Sequence, residues 1–81
     1  NIYPNPFNPS TEISFNVPYS SKVKLEVYDL NGNKISKLVN KYMDKGSYDI
    51  TWNAQRHSSG IYFIKMRVGD YVETKKIMLV K

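Results

Sequence analysis

Residues 60–68 read Gly-Ile-Tyr-Phe-Ile-Lys-Met-Arg-Val, the densest run of strand-forming residues in the chain. Side chains at alternate positions of a strand point to opposite faces, so Lys65 and Arg67 share one face. The other face is apolar and consists of Tyr62, Ile64, Met66 and Val68. Gly60 before the run and Gly69-Asp70 after it are turn residues. The pattern predicts a strand that lays one face on a hydrophobic core.

The rest of the chain supplies further alternating segments that can cover this strand. They span residues 12–17, 22–28, 34–39, 47–53 and 71–81. Their inward-facing apolar positions are Ile13, Phe15, Val17, Val23, Leu25, Val27, Tyr48, Ile50 and Trp52. Short strands at such spacings, with no helical period, are typical of a β-sandwich. The sequence predicts an all-β, immunoglobulin-like antiparallel sandwich of six to seven strands, forming one domain over residues 1–81, with Trp52 in its core.

The segments between the strands are expected to be turns and one extended lead-in. Residues 1–10 contain Pro4, Pro6 and Pro9, which exclude helix and favour an extended backbone. Tyr3 and Phe7 are expected to cover the edge of the core from this lead-in. Asn31-Gly32 is a strong hairpin signal, and the shift in alternation beyond Val27 predicts a bulge or a sharp change of twist near Asp29. Residues 42–46 are expected to form a loop.

Composition limits the classes of function. The 81 residues include no cysteine, so neither a disulfide framework nor a thiolate metal site is expected. The net charge is +5, but the basic residues are scattered at alternate strand positions. That distribution favours a solvated sheet face over a nucleic-acid surface, and no apolar run is long enough to span a bilayer. We therefore expect neither a nucleic-acid partner nor membrane insertion.

No catalytic, metal or cofactor site is expected. His57 is the only histidine and lies in a polar loop where no carboxylate is placed to orient it. The segment Asp29-Leu-Asn-Gly-Asn begins like a calcium loop, but its glycine stands at the fourth position, and Asn40 falls where a bidentate glutamate is needed. We interpret it as a turn.

The end of the chain is unusual for a strand with one buried face. Residues 77–80 read Ile-Met-Leu-Val and are apolar on both sides of the pleat. Such a run is expected to be covered on both faces by neighbouring structure. Since an open edge would promote aggregation, we expect its edge either to be paired within the domain or to be kept for a partner.

Three segments in order carry a resemblance to a known family. They are Tyr3-Pro-Asn-Pro-Phe-Asn-Pro-Ser-Thr11, Val27-Tyr-Asp-Leu-Asn-Gly32, and Gly60-Ile-Tyr-Phe63 together with the closing Lys75-Lys-Ile-Met-Leu-Val-Lys81. Gly46, Trp52 and Asn53 lie between the second and the third. The set resembles the type A C-terminal sorting domain of the type IX secretion system, which is related to an immunoglobulin-like part of flagellar hook-capping proteins. The loop at residues 53–59 is shorter than in many relatives.

The resemblance implies a non-catalytic address at the end of a larger secreted cargo protein. Such a domain would be recognised in the periplasm by the outer-membrane translocon. A sortase-like peptidase could then remove it while the cargo is anchored at the cell surface or released. The family's recognition segment corresponds here to Lys75, Lys76, Ile77, Met78, Leu79, Val80 and Lys81. The matching positions expected to be structural are Tyr3, Pro4, Asn5, Pro6, Asp29, Gly32, Trp52, Gly60 and Tyr62.

A second interpretation stays open at this point. Similar modules serve as spacers or carbohydrate-binding accessories of multidomain secreted hydrolases. Sugar binding would need two or three coplanar exposed aromatic rings, for which Tyr19, Tyr42 and Tyr71 are the candidates.

Overall fold

Seven strands and no helix make up the fold in a computed structural model that describes all 81 residues. The strands are β1 (Ile2–Tyr3), β2 (Ser10–Val17), β3 (Ser21–Asp29), β4 (Lys34–Met43), β5 (Gly46–Asn53), β6 (Gly60–Val68) and β7 (Tyr71–Leu79). They form two antiparallel sheets with the orders β1-β2-β5 and β4-β3-β6-β7. The predicted β-sandwich is confirmed, and the lead-in supplies the seventh strand. A helix with the length and apolarity needed to cross a membrane is not found.

The core lies between the two sheets and consists of one cluster of 16 buried apolar residues. Strand β6 lies inside its sheet, between β3 and β7, and buries Tyr62, Ile64 and Val68. Met66, the fourth residue of the predicted inward face, is partly buried and packs against the cluster. Tyr48 and Ile50 of β5 are likewise partly buried, whereas Trp52 is 3% exposed. The alternation of the sequence thus places the core at the predicted positions.

The prediction of a loop over residues 42–46 is wrong. Strand β4 continues through Met43 and β5 begins at Gly46, which leaves only residues 44–45 between them. Tyr42 pairs with Lys22, and Met43 pairs with Ser21. Pairing with β3 therefore extends β4 beyond the residues at which the alternation of its own sequence predicts a strand. Met43 is buried in the core and fixes this extension.

The expectation that Tyr3 covers the core is also wrong. Tyr3 is 76% exposed, whereas Phe7 is fully buried as expected. Within β1 it is Ile2 that pairs with the inward-facing Ile13, and Tyr3 pairs with Glu12 on the outer face. A one-residue difference in register moves a side chain to the opposite face of a sheet.

The irregularity expected near Asp29 lies in the pairing of β3 with β4. The register shifts between Leu25 and Glu26 and again between Val27 and Tyr28. The extra residues are on β4, and both Leu38 and Ile35 are partly buried against the core. The bulges therefore add two apolar contacts to the cluster while the strand keeps its pairing.

Candidate recognition surface

The C-terminal segment, residues 75–81, divides into a buried and an exposed set of side chains. Ile77 and Leu79 are each 1% exposed and belong to the core. Met78 and Val80 are 42% and 47% exposed. The exposed side chains of the segment are Lys75, Lys76, Met78, Val80 and Lys81. The expectation that both faces of this run are covered is wrong, because β7 packs only one face on the opposite sheet.

The free edge of β7 is covered along this segment by the proline-rich lead-in. The Phe7 N–H donates to the Met78 carbonyl at 3.0 Å, and the Val80 N–H donates to the Phe7 carbonyl at 2.9 Å. This is a parallel ladder, with Phe7 bridged to Leu79. The edge predicted to be paired or kept for a partner is therefore paired within the chain at residues 76–80.

Asn5 extends this ladder with its side chain. Its Nδ2 donates to the Lys76 carbonyl at 3.2 Å, and its Oδ1 accepts from the Met78 N–H at 3.0 Å. These two bonds occupy the places that a backbone amide would fill one step further along a parallel ladder. Between two prolines, which fix the local backbone, the side-chain amide replaces a strand residue. Asn5 thus contacts β7 through two hydrogen bonds that sequence alone does not show.

Pro4 has a related structural role on the other sheet. Its carbonyl accepts a hydrogen bond of 2.6 Å from the hydroxyl of Thr11, which is buried in β2. The Ala54 N–H donates to the Pro9 carbonyl at 2.9 Å. The lead-in therefore contacts β2, the end of β5 and β7, and joins the two sheets at one side of the sandwich.

The last residue is attached to the loop between β5 and β6. The Lys81 N–H donates to Ser59 Oγ at 3.0 Å, and its Nζ donates to the Gln55 carbonyl at 2.6 Å. Gly60, which opens β6, pairs with Leu79 across the same end. The exposed end of the chain therefore has a defined conformation.

Asp29 organises the turn between β3 and β4. Its Oδ1 accepts the backbone N–H groups of Asn31 and Asn33, each at 2.9 Å. The bond from Asn33, followed by that from Asn31, keeps the pKa of the Asp29 carboxyl below its ordinary value. Gly32 has a φ of 87°, a left-handed conformation that side chains disfavour. The turn interpretation of this segment agrees with these contacts.

Aromatic side chains at the core join the motif segments to one another. The Trp52 ring lies 5.6 Å from Phe7, 5.5 Å from Tyr62 and 5.7 Å from His57, measured between ring centroids. The Tyr62 hydroxyl donates to the Ser58 carbonyl at 2.6 Å and holds the polar loop against the sandwich. Trp52 and Tyr62 therefore act in packing, and His57 lies beside them.

The outer face of the four-stranded sheet is strongly basic. The register of the strands places its cations on the face away from the core, and they are Lys22, Lys24, Lys34, Lys37, Lys65, Arg67 and Lys76. Glu26 is the carboxylate among them. Lys34 Nζ lies 2.9 Å from it, and Tyr28 donates its hydroxyl proton at 2.9 Å. The hydrogen bond from Lys34 keeps the pKa of Glu26 low, and Glu26 in turn raises the pKa values of Lys34 and Tyr28. These cations are scattered along the sequence, but they lie on one face because β3, β4, β6 and β7 belong to the same sheet.

The three tyrosines considered for sugar stacking do not share a face. Tyr42 pairs with Lys22 on the basic outer face of the sheet. Tyr71 pairs with the inward-facing Val68 and lies on the other side of the same sheet. Tyr19 lies in the turn between β2 and β3. All three are exposed, but a coplanar platform needs rings on one face, so the carbohydrate interpretation gains no support from them.

Comparison with protein families matches the whole chain, residues 1–81, to a family described as the secretion system C-terminal sorting domain. The chain belongs to the type IX C-terminal sorting domains. Among curated proteins no match was found. Members of this family are secretion signals rather than catalysts, and this sorting domain is accordingly a C-terminal signal for export to the cell surface or the extracellular space. The signal implies contact with the secretion machinery.

Within the sorting domain, the structure brings the opening and closing motifs together. The lead-in around Asn5 and Phe7 pairs directly with residues 76–80, although some 70 positions separate them in sequence. The middle motif, with Asp29 and Gly32, lies in the turn between β3 and β4 and takes no part in that pairing. Residues 75–81 are thus a surface held in place by the other end of the domain.

Proposed function

We propose that the translocon of the type IX system recognises the exposed side chains of residues 75–81, which are Lys75, Lys76, Met78, Val80 and Lys81. The observation that carries this proposal is the exposure of Met78 and Val80 on a segment whose backbone is held by the lead-in. Large aliphatic side chains exposed side by side are a common mark of a binding surface. Ile77 and Leu79 hold the segment in place from the core side.

The wider sequence of events belongs to the same proposal. The domain ends a larger cargo protein that crosses the periplasm before it meets the translocon. A sortase-like peptidase then separates the domain from the cargo, which is anchored at the surface. A rigid, basic and partly apolar segment is suited to recognition by shape and charge, because its conformation need not be ordered on binding.

Export of a reporter tests which side chains are recognised. A fluorescent protein with a periplasmic signal is fused ahead of Asn1 and expressed in cells with a working type IX translocon. The variant Met78→Thr/Val80→Thr places strand-favouring, β-branched threonine at both positions but removes the exposed apolar surface. We expect the reporter to remain in the periplasm with this variant and to reach the surface or the medium with the unchanged domain.

Val72→Thr is the matched control, because Val72 lies on the same strand and the same face and is also 42% exposed. It should be exported normally. Removal of the whole segment after Thr74 is not a suitable test, since it also deletes Ile77 and Leu79 from the core. Equal export of the double variant and the control, with melting temperatures unchanged, would refute recognition through Met78 and Val80. A second variant, Lys75→Gln/Lys76→Gln, tests the basic residues in the same way.

A further inference from the structure

Strand β2 has an unpaired edge beyond the end of β1. The first residue of the chain pairs with Ser14 through two hydrogen bonds, from Ser14 N–H to the Asn1 carbonyl at 2.7 Å and from the Asn1 amino group to the Ser14 carbonyl at 2.9 Å. In an antiparallel pair, alternate residues direct both backbone groups to the same side. The N–H and C=O of Asn16 therefore point to the side of Ser14, where no strand continues.

A cleft of about 440 Å³ lies along this edge. Its apolar wall is formed by Phe15 and Tyr48 of one sheet and by Met66 and Tyr71 of the other. Phe15 and Tyr48 are stacked at 5.8 Å between ring centroids. The cleft thus combines an apolar wall with unpaired backbone groups, which together are what an added β-strand requires.

We propose that the chain segment directly preceding Asn1 in a cargo fusion extends β1 along β2 and fills this cleft. The inference rests on the proposed function, in which cargo precedes the domain. The register of β1 on β2 fixes the pairing: Ile2 lies opposite Ile13, and Asn1 lies opposite Ser14. The residue directly before Asn1 then lies opposite Phe15, and the one before that exchanges both backbone hydrogen bonds with Asn16.

The register also specifies the side chains that fit. Ile2 and Phe15 face the core side, so the residue opposite Phe15 faces the cleft and is apolar. Its neighbour, opposite Asn16, faces solvent and is polar. The third residue before Asn1 lies opposite Val17 and again faces inward. The occupant is therefore an extended segment with alternating apolar and polar residues, joined to the domain rather than tethered flexibly beside it.

The pairing is tested on purified fusions of a reporter protein to residues 1–81 that differ only in the three residues before Asn1. Val-Thr-Val places its valines toward the cleft. Thr-Val-Thr has a similar composition with the opposite parity, and Val-Pro-Val lacks the N–H that would donate to the Asn16 carbonyl. Amide hydrogen exchange at Asn16 is measured by NMR in all three, with the Ser14 amide as a reference that is already hydrogen bonded.

We expect the Asn16 amide to exchange about fivefold more slowly in the Val-Thr-Val fusion than in the Thr-Val-Thr fusion, since one added backbone hydrogen bond stabilises by roughly 1 kcal/mol. The Val-Pro-Val fusion should show an intermediate rate. Equal rates in the first two fusions would overturn the proposal. An Asn16 exchange rate that is lower than in residues 1–81 alone by the same factor in all three fusions would also overturn the proposal. That result would indicate crowding by the reporter rather than strand pairing.

These outcomes are independent of export. The exchange rates are measured without a translocon, so failure of the pairing leaves recognition through Met78 and Val80 unaffected. Conversely, the preceding segment could pair with β2 as expected while export depends on neither Met78 nor Val80. That result would refute the proposed recognition surface alone.

Discussion

At the scale of single residues, the side chain of Trp52 connects motif positions that are far apart in the sequence. It takes part in three ring contacts, with Phe7 of the lead-in, Tyr62 of β6 and His57 of the polar loop. Aromatic pairs at 4.5–7 Å contribute beyond the area that they bury. Trp52 therefore links the opening motif to the strand on which the closing motif pairs.

Substitution of Trp52 by alanine is expected to lower the free energy of unfolding by about 3–5 kcal/mol, because it leaves a large cavity between the sheets. Stabilities of small domains are commonly ~5–15 kcal/mol, so the loss is a large share of the total. Chemical denaturation measures it, and Trp52→Phe, which keeps a ring in place, should cost less. A loss below roughly 1 kcal/mol for the alanine variant would contradict this packing role.

Glu26 should make the stability of the domain depend on acid. The hydrogen bond from Lys34 lowers the pKa of Glu26 in the folded state relative to its ordinary value of 4.5. Its contribution is therefore fully present above that ordinary value and is lost as the pH falls through the lowered folded value. The stability difference between the unchanged protein and Glu26→Gln should be largest near pH 7 and should shrink below about pH 4.5. Denaturant unfolding at several pH values measures it, with Glu12→Gln on the other sheet as the control. A difference that stays constant down to pH 3 would count against the ion pair.

At the scale of elements, the pairing of the lead-in with β7 decides whether the C-terminal segment is an edge strand or an inner one. On the edge of β7 the lead-in forms hydrogen bonds with residues 76–80 only, so the first half of the strand keeps its edge open. The domain thus protects the end of β7, which carries Met78 and leads into Val80. Since unprotected edges associate with other strands, this pairing favours recognition through side chains over strand addition at residues 76–80.

Asn5→Ala tests the contribution of the lead-in. The change removes two hydrogen bonds to β7, and we expect a loss of about 1–3 kcal/mol in the free energy of unfolding. The Met78 amide, which loses its acceptor, should exchange with solvent faster. Asn8→Ala is the matched control, as Asn8 is an exposed asparagine of the same segment. If the Met78 amide exchanges at the same rate in both variants, the side chain of Asn5 does not act as a strand residue.

The elements that could be predicted from sequence are those with a local signal. Alternation identified β2, β3, β5 and β6, and Asn31-Gly32 marked the turn between β3 and β4. The contact of Asn5 with Met78 spans 73 positions and has no periodic signature. Likewise, Met43 extends β4 because β3 pairs beside it, and the two-residue strand β1 is too short to reveal which of Ile2 and Tyr3 faces inward. The segment at residues 75–81 was found through family motifs, but only its packing separates Ile77 and Leu79 from Met78 and Val80.

At the scale of the whole molecule, the two sheets differ in charge. The three-stranded sheet contains no lysine or arginine and carries Glu12 and Asp49 on its outer face. The outer face of the four-stranded sheet carries seven cations around Glu26, which are Lys22, Lys24, Lys34, Lys37, Lys65, Arg67 and Lys76. Alternate lysines in separate segments come together because β3, β4, β6 and β7 all belong to this sheet. The excess of positive charge is therefore concentrated on one face of the domain.

Concentration of cations on one face should make the domain more stable as salt is added. Lys24 and Arg67 lie directly opposite each other on β3 and β6, and like charges in that position are destabilising. Raising the salt concentration from about 0.01 M to about 0.15 M shortens the Debye length from ~30 Å to ~8 Å and screens this repulsion. We expect the melting temperature of the unchanged domain to rise over that range and to rise less in Lys24→Gln/Arg67→Gln. The control Lys45→Gln/Arg56→Gln removes the same charge from exposed positions outside the face and should retain the full salt dependence. Equal salt dependence in the two double variants would mean that net charge, rather than its concentration on the outer face of the four-stranded sheet, governs the response.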